Sequence, residues 1–282
     1  MPKQKKMWDN ILTVIMTLLS LLWIYPIVLI LLNSLKIEGS FTTSTVFKLP
    51  TAETFAGLSN NVSFVLPVSA ISDDEVAAPS AILMEPNTGK ILYEKNANEL
   101  RPCASITKVM TLLLVMEAID SGKISLEDQV TASAHAASMG GSDIWLKEGE
   151  TMSVNDLIKA TVIMSANDAA VVLAEHVYGT EDEFVKQMNI RAKQLGMNDT
   201  TFKNCNGLDE DGHLTTAHDV ALMSAELIKH ERIFDYTLTW MDYVRDGATQ
   251  LVNTNKLIRS YKGITGLKTG TTSQAGSCIS AT

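Results

Sequence analysis

The chain has 282 residues, of which 46% are hydrophobic, and a formal net charge of −9. That apolar content is enough for one large cored domain or two small ones and excludes a disordered tail, while the acidic balance and the lack of a Lys/Arg run exclude an ordinary nucleic-acid footprint. Cys103, Cys205 and Cys278 are far apart with no Cys-x-x-Cys spacing, and the five histidines contain no His-Glu-x-x-His pattern. The sequence therefore calls for no metal, cofactor or complete disulfide framework, and the cysteines read as buried thiols.

Residues 11–32, ILTVIMTLLSLLWIYPIVLILL, carry no charge. As a helix they would span roughly 33 Å, against about 30 Å of bilayer hydrocarbon. The reading is a transmembrane helix or a long export signal, with residues 1–32 as a cytoplasmic stub plus membrane segment. Lys3, Lys5 and Lys6 precede it, so the positive-inside rule keeps the N-terminus cytoplasmic and places the chain beyond Leu32 outside. Residues 33–78 weaken into Ser, Thr, Gly and Pro and read as a linker. Within it, VSFVLPVSA (62–70) has the form of a signal-peptide tail.

Residues 79–282 read as one acidic α/β domain with strands at both ends, expected to share a sheet, and helices between them. AILMEP and KILYEK flank Asn87, Thr88 and Gly89 as a hairpin. A helix starts near Ser105 and runs through VMTLLLVM, where Thr111 alone is not apolar. Ser153 is positioned to cap VNDLIKATVIM and Thr180 to cap EDEFVKQMNIRAKQL, and TTAHDVALMSAELIKH is a further amphipathic helix. GITGLKTGTT and SCISAT complete the domain as strands.

Lys108 is the anomaly. A lysine in the first turn of a buried helix opposes the helix dipole and incurs a desolvation cost, so stability alone does not explain it. Three residues before it, Ser105 shares its helix face beside free N-terminal NH groups. Burial and the positive helix end lower an amine pKa, which makes Lys108 a usable base for a Ser105 nucleophile, and the NH groups suit an oxyanion. Ser-x-x-Lys arises about once by chance in such a chain, and a snorkelling Lys108 is the bland alternative.

Two further elements change the weighing. Lys-Thr-Gly at 268–270 has a chance expectation below roughly 0.1. There Lys268 could bind a substrate carboxylate, Thr269 could hydrogen-bond it, and Gly270 would admit a substrate backbone. Ser165-Ala166-Asn167 interrupts two apolar helical runs, so it must face something polar. The Ser165 hydroxyl could relay a proton, and the Asn167 amide could bind a carbonyl. Ser59 and Ser153 also begin Ser-x-Asn triplets, but one lies in the linker and the other reads as a helix cap.

Ser-x-x-Lys, Ser-x-Asn and Lys-Thr-Gly in that order are the motif set of penicillin-binding proteins and class A β-lactamases. With ILMEPNTGKILYEKN, PCASITKVMTLLLVMEAID, SANDAAVVLAEHV, NCNGLDEDGHLTTAHDVALMS and GLKTGTT, residues 79–282 resemble the D-alanyl-D-alanine carboxypeptidases, the low-molecular-mass penicillin-binding proteins. The resemblance implies a transpeptidase-type fold, an antiparallel sheet with helices on both sides and a helical subdomain. It implies attack by Ser105 between two D-alanines of a peptidoglycan pentapeptide, an acyl-enzyme, and acylation by β-lactams. Ser105, Lys108 and Ser165 would be catalytic, and Asn167, Lys268, Thr269, Gly270 and Thr271 would contact substrate. Such an enzyme belongs on the bacterial membrane with its catalytic domain outside.

Three readings compete. A class A β-lactamase needs a deacylating glutamate loop between Ser-x-Asn and Lys-Thr-Gly, which is not found. A non-catalytic penicillin sensor would share the motifs. Residues 1–61 resemble the N-terminus of a sugar ABC-transporter permease, through WIYPIVLILLNSLK and LPTAETFAGLSNN; a transporter subunit would need several more membrane spans and none is read after Leu32, so the resemblance suggests a fusion or assembly join near residue 61. The family also continues beyond the strand at SCISAT, so the domain reads as C-terminally truncated, with weakened turnover expected.

Overall fold

In the computed structural model of the chain, residues 73–282 are described. The expected membrane segment, the permease-like stretch and nearly all of the expected linker lie outside them. Among the described residues no helix is long and apolar enough to cross a membrane.

Strands β1 (Ala81–Met84) and β2 (Ile91–Lys95) form the expected antiparallel hairpin. Its turn is organised by one side chain. The Glu85 carboxylate accepts the Asn87 and Thr88 amides at 3.0 and 2.8 Å and the Thr88 hydroxyl at 2.5 Å. The Thr88 hydroxyl, followed by the two amides, holds the Glu85 carboxyl down at about 2.

The long central helix begins later than the sequence suggests. Ala104–Thr107 form a 3-10 turn, and helix α1 (Lys108–Asp120) starts at the lysine itself. Ala104 takes a positive φ of 49°, and this sharp entry gives Ser105 its place on the turn. Helix α1 is buried nearly all round, with Val109, Met110, Leu113, Val115 and Met116 fully inaccessible. Each such side chain contributes about 1.5–3 kcal/mol of burial. Beyond Lys108, its one fully buried polar residue is satisfied, because the Thr111 hydroxyl donates to the Cys205 carbonyl at 2.5 Å.

Strands β3 (Gln129–Thr131) and β4 (Thr151–Ser153) pair antiparallel. Ser153 caps helix α2 (Val154–Lys159), its hydroxyl accepting the Asp156 amide at 3.1 Å. The helix expected to run through Met164 instead widens into a π-type turn over Ala160–Met164 and ends at Ser165, in the left-handed region at φ 62°. Helix α3 (Asn167–Tyr178) then starts after the extended residue Ala166. Thr180 caps α4 (Glu181–Gln194) and Thr216 caps α5 (Ala217–Leu227), their hydroxyls accepting the Glu183 and Asp219 amides. Helices α3, α4 and α5 all pack on α1.

Strands β5 (Met241–Val244) and β6 (Thr249–Val252) form a second hairpin, and β7 (Leu267–Thr272) pairs with β8 (Gly276–Ala281). Strand β7 starts at Leu267 rather than at Gly263. The Thr265 carbonyl accepts the Thr237 hydroxyl at 2.6 Å, and the chain at Gly266 lies so close to Thr237 that a Cβ there would overlap it.

The terminal strands, expected to share a sheet, do not: the described residues form four separate two-stranded antiparallel ladders. Helix α5 packs against both β1 and β8, so the two ends of the domain meet through side chains on one helix instead of through backbone pairing. Cys103 and Cys205 are buried as expected, but Cys278 on β8 is only half-buried; all three are free thiols.

Candidate active site

The three motifs come together around one amine. Lys108 is completely buried, and its Nζ donates to the Ser105 Oγ at 3.0 Å, the Asn167 Oδ1 at 2.6 Å and the Asn206 carbonyl at 2.5 Å. Three donors meet three acceptors. Burial lowers the Lys108 pKa to about 7 against weaker opposing contributions from Cys205, Asp168 and Cys103. An amine with that pKa, within hydrogen-bond reach of a half-exposed serine, is positioned as a general base.

Asn167 is fixed from two sides. Its Nδ2 donates to the Gly140 carbonyl and its backbone amide to the Ser142 carbonyl, both at 2.6 Å. The next residue, Asp168, accepts the Ile144 and Leu146 amides at 3.1 and 2.9 Å. Residues 140–146 are thus tied along the start of α3. Ser165 is buried next to these groups in the chain, but it is not one of the three partners of Lys108 in this state.

Strand β7 lies against the nucleophile turn. Gly270, expected to admit a substrate backbone, meets a further need. A Cβ at Gly270 would come within 2.8 Å of the Ser105 nitrogen and 3.1 Å of the Cys103 carbonyl oxygen, so the missing side chain admits the turn itself. Lys268 also differs from expectation. It is 1% exposed and its Nζ donates to the Thr269 carbonyl at 2.9 Å. Burial, then the neighbouring Lys108 ammonium, hold its pKa well below the ordinary lysine value. The groups that β7 offers near the surface are the half-buried Thr269, whose hydroxyl shares a hydrogen bond with that of Thr254 at 2.6 Å, the exposed Thr271 and the half-buried Thr272.

Several site residues were not singled out from sequence. Asn206 supplies the third acceptor for Lys108. Gly207, at φ 87°, packs so close to Ala104 that a Cβ would lie 2.0 Å from the Ala104 oxygen. The Asn-Gly pair is a turn signal that marks such a backbone, though nothing in it says what the turn touches. Asp209 reaches the β7–β8 turn through the Ser273 hydroxyl at 3.1 Å. Cys103, two residues from Ser105, is no competing nucleophile, because burial pushes its thiol up to about 11. Among the described residues, no group of three or more His, Cys, Asp or Glu is arranged to hold a metal ion.

A serine hydroxyl beside a buried lysine amine, set between a helical layer and an antiparallel strand, is the class of site that this geometry defines. The sequence profile of the D-alanyl-D-alanine carboxypeptidases matches residues 67–282, and the chain belongs to that family. It is 52% identical over 207 residues to D-alanyl-D-alanine carboxypeptidase DacF of Bacillus subtilis, an alignment covering 72% of this chain and 53% of the relative. With DacC of Escherichia coli it shares 38% over 222 residues, covering 74% and 55%. The chain therefore spans about half the length of these curated relatives. Among solved structures it resembles penicillin-binding protein 6B of Escherichia coli, with a TM-score of 0.70, 34% identity, and coverage of 76% of this chain and 69% of that one. It also resembles penicillin-binding protein D2 of Listeria monocytogenes in its ampicillin-bound form, with a TM-score of 0.66, 36% identity, and coverage of 72% and 83%.

Proposed function

We propose that this chain is a serine-type D-Ala-D-Ala carboxypeptidase, which removes the terminal D-alanine of peptidoglycan stem peptides through an acyl-enzyme and is itself acylated by penicillin. The observation that carries this reading is the 3.0 Å hydrogen bond between the buried Lys108 amine and the Ser105 hydroxyl.

Neutral Lys108 takes the Oγ proton of Ser105 as the oxygen attacks the carbonyl carbon of the penultimate D-alanine. The resulting oxyanion is met by the Ser105 amide, carried on the 3-10 turn that leads into α1. Collapse breaks the amide bond. The proton passes from Lys108, with the Ser165 hydroxyl as relay, to the departing D-alanine nitrogen. Water then attacks the ester, gives a proton to Lys108, and the freed Oγ takes one back. The substrate carboxylate lies over β7, bonded by the Thr269 and Thr271 hydroxyls, and the Asn167 side chain faces the peptide. A carboxylate above Lys268 favours its charged form, and a charged Lys268 in turn favours neutral Lys108, so substrate binding itself readies the base.

The test is release of D-alanine from a diacyl-L-Lys-D-Ala-D-Ala tripeptide by the full chain. Release abolished by Ser105→Ala supports the reading, and release that survives that substitution overturns it. We further place the chain on the bacterial membrane with this domain outside, on the strength of the uncharged run at 11–32 behind Lys3, Lys5 and Lys6. Protease added to intact spheroplasts should digest the domain, and protection would contradict that placement.

A further inference from the structure

Behind the nucleophile turn lies a chain of buried polar groups that the reaction scheme does not use. His213 is buried, and its Nδ1 accepts the Lys203 amide at 3.2 Å. That bond fixes the tautomer: with Nδ1 an acceptor, the ring proton sits on Nε2, which is 2.8 Å from the Thr107 Oγ1. The Thr107 hydroxyl, receiving a proton from His213, donates its own to the Ala104 carbonyl at 2.8 Å. Thr107 is itself completely buried, and the Cys103 sulfur lies 3.3 Å from the same hydroxyl. The series runs in one direction, from the Lys203 amide through His213 and Thr107 to the Ala104 oxygen.

What makes this consequential is the planarity of the peptide unit. The Ala104 carbonyl and the Ser105 amide belong to one plane and point opposite ways, so holding the oxygen aims the N–H. Ala104 needs holding: it is a non-glycine residue at φ 49°, a conformation that persists only where its surroundings impose it. Gly207 walls in the same carbonyl, and Gly270 leaves open the space beside the Ser105 nitrogen.

We infer that His213 is a positioning residue that aims the Ser105 amide at the developing oxyanion by locking the Ala104–Ser105 peptide through Thr107. The inference rests on the acyl-transfer reading of the same site, and it adds the segment from Lys203 to His213 as part of the machinery. That segment reaches the site at four points: His213 on Thr107, Asn206 on Lys108, Gly207 on Ala104, and Asp209 on the β7–β8 turn.

The test compares His213→Gln, His213→Asn, Thr107→Val and the His213→Asn/Thr107→Val pair in the full chain. Asparagine can still accept from the Lys203 amide but is too short to reach Thr107, whereas glutamine can reach it. The expected result is acylation by a fluorescent penicillin about 10- to 100-fold slower in His213→Asn, with saturation at a similar penicillin concentration, and with most of the rate restored in His213→Gln. The pair should be no slower than Thr107→Val alone, since both act through one bond. A second readout is independent of turnover: in protein labelled with 15N-serine, the Ser105 amide resonance should move in His213→Asn and return in His213→Gln. If His213→Asn melts lower but acylates at the wild-type rate with an unmoved Ser105 resonance, His213 is only a structural residue and the inference is wrong. If the wild-type chain is not acylated, the functional reading fails, and the Ser105 resonance alone still decides whether His213 aims the peptide.

Discussion

A methyl group placed on Gly270 would come within 2.8 Å of the backbone nitrogen of Ser105. Strand β7 and the nucleophile turn are therefore packed backbone against backbone, with the amide of the attacking residue at the contact. Gly270→Ala must push the turn or the strand aside. A shift of about 1 Å at a reacting centre can cost on the order of a hundredfold in rate, so acylation of Gly270→Ala should fall by about that factor while its far-ultraviolet circular dichroism stays that of the parent. Unchanged acylation would show that the contact relaxes without consequence.

Lys108 should govern the acid side of the pH dependence. With a pKa of about 7, the amine is mostly protonated below neutrality, and the acylation rate should drop about tenfold per pH unit below roughly pH 6. The same residue has a signature in stability. Its folded pKa lies below the ordinary lysine value of 10.5, so between about 7 and 10.5 the unfolded chain binds more protons than the folded one, and stability rises with pH across that window. Lys108→Met should lose both acylation and that rise, measured by denaturant melts at about pH 7 and about pH 10. A rise of equal size in both proteins would show that another group carries it.

Lys268 and Lys108 are both buried, and the Lys108 charge disfavours protonation of Lys268; by reciprocity a charged Lys268 disfavours protonation of Lys108. Replacing Lys268 with methionine should move the acid limb of the acylation profile to higher pH, because Lys108 becomes easier to protonate. The shift should be a few tenths of a pH unit to about one unit. An unmoved limb with weaker substrate binding would instead leave Lys268 to the role its sequence motif suggests, that of a carboxylate contact.

Asp168 holds residues 144 and 146 against α3 by their amides. Asp168→Ala leaves buried donors without acceptors, a loss of about 1–3 kcal/mol for each group. Because Asn167 leads this helix, acylation should weaken together with the melting temperature. Asp168→Asn, which keeps one acceptor oxygen, should lie between the two. A melting temperature unchanged in Asp168→Ala would show that these amides find other partners.

Much of this site was legible in the sequence because its signals are local. A lysine in the first turn of an apolar helix, a polar triplet breaking two apolar runs, and the caps at Ser153 and Thr180 can each be read within a few residues; the triplet and both caps lie where that reading puts them, while the helix starts only at Lys108 itself. Position alone did not give roles. Gly270 spares the chain's own turn, and Lys268 is buried, because β7 meets Ala104 and Ser105 across more than 160 residues of sequence. The widened turn at 160–164 was hidden for the same reason, since its apolar residues suit a continuous helix equally well. His213 and Asn206 stayed silent because a histidine and an amide in a loop carry no periodicity.

At the centre of the proposed mechanism is Ser105, as the nucleophile, with Lys108 as its base. Intact-mass spectrometry of the full chain incubated with benzylpenicillin, combined with peptide mapping, tests this most directly. The predicted result is one penicilloyl adduct on the peptide containing Ser105, absent in Ser105→Ala and strongly reduced in Lys108→Met under the same conditions. An adduct that persists undiminished in Ser105→Ala, or a folded wild-type chain that takes up none, would contradict it.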